Sequence, residues 1–126
     1  MISRKRKEYK RYCELRDMRY TLSPGDLVYR VEAWHFDRRK WKIAVRKVIA
    51  AHPVNMDIAP LDENQEISRV AIFKYVGYRW WPTRELALEV AGMLHQEKLD
   101  SAKATMAYNY DVLRWIKRYK KRMAAK

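Results

Sequence analysis

The placement of proline and glycine constrains the fold of this 126-residue chain more than any other feature. All four prolines and two of the three glycines lie between residues 24 and 82, whereas residues 3–19 contain neither. Pro and Gly interrupt helices and favour turns. The sequence therefore predicts helices at both ends of the chain and short strands joined by turns in the middle, which is an α+β arrangement.

The middle segment has the alternation of apolar and polar residues that half-buried strands require. Residues 23–26, Ser-Pro-Gly-Asp, are typical of a turn. From Leu27 onward, odd-numbered residues are expected to share one face of a half-buried strand and even-numbered residues the other. A change of phase between Val45 and Val48 indicates a β-bulge, a common feature of bent strands in small barrels. Residues 22–82 thus hold about four or five short strands, which predicts a small SH3-like antiparallel β-barrel.

The two ends are expected to be helical. Residues 1–20 form the predicted basic N-terminal helix, in which Tyr9, Tyr12 and Cys13 recur at helical steps. In the C-terminal helical region, residues 83–124, Thr83 can cap the first free amides. This region could be one long helix or two, and we expect two, with residue 100 or 101 capping the second.

Composition predicts a single folded domain over residues 1–126, because 48% of the residues are apolar and 13% are aromatic. Cys13 is the only cysteine, so an intramolecular disulfide is excluded and a reducing, cytoplasmic setting is expected. The histidines are scattered and the glycines isolated, so no metal, cofactor or catalytic site is predicted, and we expect no enzyme. Eighteen apolar residues never run together, so no membrane partner is expected.

Positive charge is concentrated at the two ends. The formal net charge is +13, of which residues 1–20 carry +5, residues 21–111 carry +1 and residues 112–126 carry +7. On a helical projection the last segment places Val112, Trp115, Ile116, Tyr119 and Met123 on one face, which is expected to pack, and cations on the other. Crowded cations repel one another unless an anionic partner relieves the repulsion, so nucleic acid is the expected partner.

A third cationic patch is predicted in the hairpin around residue 37, where aromatic side chains lie among Lys and Arg as in proteins that bind single strands. Its Trp34 and Trp41 could equally pack on each other, and the basic ends could be solvated tails or a localisation-type run. No recognised signature of sequence-specific readout is present. The candidate nucleic-acid-binding residues are Arg4, Lys5, Arg6, Lys7, Lys10, Arg11, Arg38, Arg39, Lys40, Trp41, Lys42, Arg114, Lys117, Arg118, Lys121 and Arg122.

Trp80 and Trp81 are predicted to end a last short strand over residues 78–81. Adjacent residues of a strand point to opposite sides, so at least one tryptophan is expected to be exposed and to anchor a protein interface. The alternative function is therefore an inhibitor or adaptor that binds a protein or a ribonucleoprotein. A third possibility is that the basic ends form a contact between subunits or dock on a larger ribonucleoprotein.

Two short stretches resemble a known group of proteins. Pro24-Gly25-Asp26-Leu27-Val28-Tyr29 is similar to the entry into SH3-like and Tudor-like barrels, and Trp80-Trp81-Pro82-Thr83-Arg84-Glu85-Leu86-Ala87 resembles a strand-to-helix step of small phage- and prophage-encoded proteins. The resemblance covers residues 24–95. It implies a phage accessory protein acting inside the host cell, in a group that includes inhibitors of host defence such as anti-CRISPR proteins, and it assigns no catalytic residue.

Overall fold

The computed structural model describes residues 3–32, 42–62 and 66–125, and over these residues the chain is an α+β protein. Contacts divide the chain into two compact units, Met1–Met93 and Leu94–Lys126. The prediction of one domain over the whole chain stays a prediction. In chain order the elements are α1 (Arg4–Asp17), β1 (Leu27–Glu32), β2 (Lys42–Ala51), β3 (Asn55–Ala59), β4 (Ser68–Ala71), a 3₁₀ turn (Val76–Tyr78) and α2 (Arg84–Ala124).

The four strands form one antiparallel sheet in the order β1-β2-β3-β4. Over the described residues the sheet is open, so a closed barrel is not confirmed. A single antiparallel bridge extends the sheet beyond β1, where the amides of Tyr29 and Trp81 donate to each other's carbonyls at 2.7 Å. The strand predicted over residues 78–81 is reduced to this bridge, because Val76–Tyr78 wind into the 3₁₀ turn instead.

The turn before β1 is confirmed. Gly25 has a φ of 97°, a conformation that side chains with a Cβ rarely adopt. Its amide donates to the carbonyl of Val48 at 2.8 Å, and the amide of Val48 donates to the carbonyl of Asp26, also at 2.8 Å. The bulge predicted between Val45 and Val48 is displaced, since the register shifts between Val48 and Ala50. These two hydrogen bonds therefore join the turn to β2 at Val48, the residue next to the bulge.

The even-numbered residues of β1 lie on its inner face. Val28 is fully buried and Leu27 is 39% exposed. Alternation alone cannot identify the inner face here, because the inward-facing positions after Val28 are the charged Arg30 and Glu32 rather than apolar residues. The main core of the sheet consists of Leu22, Val28, Ala44, Val48, Met56, Ile58, Ile72 and Trp80.

α1 begins where Ser3 accepts a hydrogen bond from the amide of Arg6 at 3.3 Å. The predicted helix is confirmed, and Tyr12 and Cys13 of its predicted apolar face are half-buried. Leu15 is the one described residue of α1 that is fully buried, whereas Tyr9 is exposed. A phenol ring can lie at the surface at little cost, and the helix is held mainly by Leu15 and by ion pairs.

α2 is one helix of 41 residues, so the expected division into two helices is wrong. Thr83 caps it as predicted, accepting from the amide of Leu86 at 3.2 Å. Asp100 does not cap a second helix; its carboxylate accepts from the Gln96 side chain at 3.0 Å, one turn earlier. No proline follows residue 82, and a single glycine in a helix costs only about 1 kcal/mol relative to alanine.

Candidate nucleic-acid interface

α1 presents an exposed cationic surface. Lys5, Arg6, Lys7 and Lys10 are all exposed, and their side chains have no ion pair or hydrogen bond among residues 3–32, 42–62 and 66–125. Arg6 and Lys10 lie four residues apart and Lys7 and Lys10 three, so these side chains are neighbours on the helix. The first turn of α1 contains no acid, although the positive end of the helix dipole favours anions there. This surface therefore favours a negatively charged partner.

Arg11 is a structural residue and not a free cation of this surface. Its Nε and Nη2 atoms donate to the two carboxylate oxygens of Glu89 at 2.7 and 2.6 Å, and Nη1 lies 3.1 Å from Glu14. The paired carboxylates hold the pKa of Arg11 above its ordinary value, and the guanidinium holds the pKa of Glu89 below its ordinary value. Arg4 likewise pairs with Glu8 at 2.8 Å.

The second unit carries the C-terminal cations. Arg114, Lys117, Arg118, Lys121 and Arg122 are all exposed on α2, as is Lys120, which the helical projection did not single out. The sequence contains no acid after residue 111 to neutralise them.

Two of these cations have weak local contacts. Arg114 lies 3.7 Å from Asp111, and the guanidinium of Arg122 lies 5.9 Å from the centre of the Tyr119 ring. Exposed ion pairs of this kind contribute little energy. The cations thus remain able to exchange these contacts for phosphates.

The apolar face of the same segment is exposed, so the prediction that it packs is wrong for the isolated chain. Trp115 is 57% exposed and Met123 62% exposed. Trp115 and Tyr119 stack on each other with ring centres 5.4 Å apart. The periodicity identified an amphipathic helix correctly, but it did not identify what covers the apolar face.

Of the hairpin residues named as candidates, the structure describes Lys42, because Arg38, Arg39, Lys40 and Trp41 lie outside the described residues. Lys42 is exposed, begins β2 and is the register partner of Glu32. The structure therefore leaves the aromatic part of this predicted patch as a prediction.

Trp80 and Trp81 are buried, with 3% and 1% of their surface exposed, so the expectation that one is exposed is wrong. The two side chains contact different residues, but both are buried. Trp80 belongs to the core of the sheet, and the guanidinium of Arg30 lies 4.3 Å from the centre of its ring. Trp81 lies against Tyr20, with ring centres 5.8 Å apart. Neither side chain is a free anchor for a partner.

A groove of about 560 Å³ lies over the inner face of the sheet. Its lining includes two cations, Arg30 and Arg46, and two carboxylates, Glu32 and Glu66. Arg30 pairs with Glu32 at 3.3 Å, and both guanidinium groups lie over the ring of Trp80. Because its charges balance and its arginines are already engaged, the groove attracts phosphate less than the helices do. Arginines at inward strand positions were not recognisable from the sequence.

Arg79 has a structural role that the sequence did not reveal. It is 3% exposed, and its Nη1 and Nη2 atoms donate to the carbonyls of Leu15 and Arg16, both at 3.0 Å. These carbonyls belong to the last turn of α1, where the helix leaves acceptors free. The carbonyl of Leu15 also accepts from the amide of Met18 at 3.3 Å, and that of Arg16 from the Arg19 side chain at 3.3 Å. Burial lowers the pKa of Arg79, and among the described residues its Nε has no hydrogen-bond partner. The side chain thus caps α1 and fixes the helix that carries the first cationic surface.

Within the part of the chain that the structure describes, no group of three or more His, Cys, Asp or Glu side chains could hold a metal ion. No helix among the same residues is both long and apolar enough to cross a membrane. Comparison of the chain with protein-family models, curated proteins and solved structures gives no match in any of the three.

Proposed function

We propose that the protein binds nucleic acid through phosphate contacts made by α1 and by the C-terminal part of α2, without base-specific readout. The observation that carries this proposal is the set of exposed cations at the two ends, most of which have no acidic partner among the described residues. In the middle of the chain, by contrast, thirteen basic and twelve acidic residues nearly balance, and some of them pair with each other. Arg69 pairs with Asp57 at 2.9 Å, and Arg30 pairs with Glu32.

The energetics support the same conclusion. Like charges three or four residues apart on a helix destabilise it by about 0.2–0.5 kcal/mol per pair. α1 and the end of α2 each contain several such pairs, and α1 also places cations at the positive end of its dipole. Phosphates relieve both costs and release counterions from the nucleic acid, so binding stabilises the two segments that are least favourable in the free chain.

The fold is consistent with a distant SH3-like arrangement, in which the bridge between Tyr29 and Trp81 takes the place of a fifth strand beside β1. In this proposal the sheet serves as the scaffold and the helices as the binding elements. The function implies a cytoplasmic protein, because its partner is intracellular nucleic acid.

The test is a fluorescence-anisotropy titration of short single-stranded and duplex DNA and RNA at two or more salt concentrations. For duplex DNA, the logarithm of affinity falls by about 0.9 per log unit of salt for each phosphate contacted. Two variants remove one cationic segment each: Lys5, Arg6, Lys7 and Lys10→Gln, and Arg114, Lys117, Arg118 and Lys121→Gln. A matched control changes the net charge equally with exposed cations outside both segments: Lys47, Lys74, Arg84 and Lys98→Gln.

Each segment variant is expected to weaken binding and to reduce the salt slope by up to about 3.6, the value for four lost phosphate contacts. The control should change affinity much less. Absence of binding at low salt would refute the proposal. Equal losses in all three variants would show that net charge, and not these two surfaces, determines binding.

The alternative, an inhibitor or adaptor that docks through Trp80 and Trp81, receives no comparable support. Both side chains are buried, and the described surface offers no other tryptophan in the first unit. If nucleic acid does not bind, a protein partner with an acidic surface becomes the leading hypothesis. The cations that we assign to phosphates would then contact its carboxylates.

A further inference from the structure

The second unit carries an apolar stripe that is separate from the face containing Trp115. Leu99, Met106 and Leu113 recur at seven-residue steps, and Ala102 and Tyr110 lie between them on the same side of the helix. All five residues are exposed. Exposed apolar residues that form a continuous stripe are typical of an interface, unlike single apolar residues scattered over a surface.

The spacing of this stripe is symmetric about Met106. Leu99 and Leu113 lie seven residues to either side, and Ala102 and Tyr110 lie four residues to either side. We propose that two copies of the chain associate through this stripe as antiparallel helices, with a two-fold axis at Met106. Leu99 then faces Leu113 of the partner subunit, and the small Ala102 faces the large Tyr110 of the partner subunit, as two-fold symmetry requires.

Charge selects the antiparallel direction. A parallel pair would place the seven cations of residues 112–126 beside the seven cations of the second copy. The antiparallel pair separates these segments to opposite ends of the contact. It also places charges of opposite sign across the same edge of the stripe: Asp100 lies near Arg114 of the partner subunit, and Lys103 near Asp111 of the partner subunit.

These two pairs follow from the register that the apolar stripe defines. Residues that face each other directly, such as Leu99 and Leu113, have numbers that sum to 212. The numbers of each charged pair sum to 214, so its two residues are offset by two positions along the helices. All four charged residues lie on one edge of the stripe, and equivalent edges meet when helices run antiparallel. Two of the three acids in the second unit, Asp100 and Asp111, are thereby matched with a cation of the other copy.

The first experiment measures the mass of the full chain by sedimentation equilibrium over a range of concentrations. The protein is first purified at high salt and shown by its absorbance to be free of nucleic acid. We expect a concentration-dependent rise from the chain mass of 15.3 kDa to twice that value. Met106→Lys, which places two cations at the axis, should return the mass to that of one chain. Tyr108→Lys changes an exposed residue on the opposite side of the helix and should not.

Cysteine cross-linking tests the register. In a Cys13→Ser background, Met106→Cys should form a disulfide between copies under mild oxidation, whereas Tyr108→Cys should not. Leu99→Cys should cross-link to Leu113→Cys when the two variants are mixed, but not to itself. Circular dichroism verifies that each variant keeps its helix content.

A mass of one chain at every concentration up to about 100 μM would overturn the proposal. A disulfide between two copies of Leu99→Cys would overturn the antiparallel direction, because it requires parallel helices. Neither result depends on nucleic-acid binding, so the proposed function and this inference can fail separately.

Discussion

Replacing Arg79 by Met should destabilise the first unit substantially. The buried guanidinium donates to two carbonyls of the last turn of α1 at 3.0 Å, and a hydrogen bond from a charged donor contributes about 1.5–3 kcal/mol. Its centre also lies 5.7 Å from the rings of Phe73 and Trp81. Met carries no charge that must be desolvated, and this offsets part of the stabilisation lost with the hydrogen bonds and ring contacts. We expect a net loss of about 3 kcal/mol, out of the 5–15 kcal/mol typical of a domain.

The assay is urea unfolding followed by circular dichroism and by tryptophan fluorescence. Arg79→Lys keeps the charge but reaches fewer carbonyls, so it should lose about half as much stability. Arg16→Met is the matched control, because its side chain is exposed and pairs, within the part of the chain that the structure describes, only with Asp17. We expect its urea midpoint to stay close to that of the unmodified chain. If Arg79→Met unfolds at the same urea concentration as the unmodified chain, or at a higher one, the capping argument is refuted.

Three further predictions concern single contacts. A double-mutant cycle of Arg11→Gln and Glu89→Gln in urea should give a coupling of about 1 kcal/mol, since the pair is bidentate but partly exposed; additive effects would contradict its role. Burial raises the pKa of Tyr20 to about 12, so the stability it contributes is fully present below pH 10 and is lost as pH rises towards 12; ultraviolet titration should show one tyrosine ionising late, and its absence in Tyr20→Phe identifies it. Gly25→Ala should cost about 1–2 kcal/mol because φ is 97°, whereas Gly92→Ala, which meets no atom within 4 Å, should stabilise α2 by about 0.5–1 kcal/mol; equal thermal shifts would contradict this reasoning.

The arrangement of local elements could be predicted from the sequence. The turn at residues 23–26 and the cap at Thr83 use side chains that hydrogen-bond only to nearby backbone, so their signals are local. The alternation of Met56 and Ile58 likewise identifies the buried face of β3, and both residues are in the core. Predictions of this kind succeed because a few adjacent residues decide the outcome.

Features that depend on distant residues could not be predicted. In the sequence, Arg11 and Arg79 cannot be distinguished from exposed cations. Their partners lie 78 and 64 residues away. For the same reason Arg11 was assigned to the nucleic-acid surface. A buried arginine is distinguished from an exposed one by what packs around it, and a charge pattern does not contain that information.

If both proposals hold, the apolar stripe of α2 and the basic C-terminal segments act together. In the antiparallel pair, Arg118 of one copy lies about 24 residues along the helix axis from Arg118 of the partner subunit, a separation of about 36 Å at 1.5 Å per residue. One turn of B-DNA measures about 34–36 Å, which is also the spacing at which paired DNA-binding elements contact successive turns. Two cationic segments at this distance can contact the same duplex simultaneously. The second contact is then intramolecular, so a dimer gains affinity that neither helix provides alone.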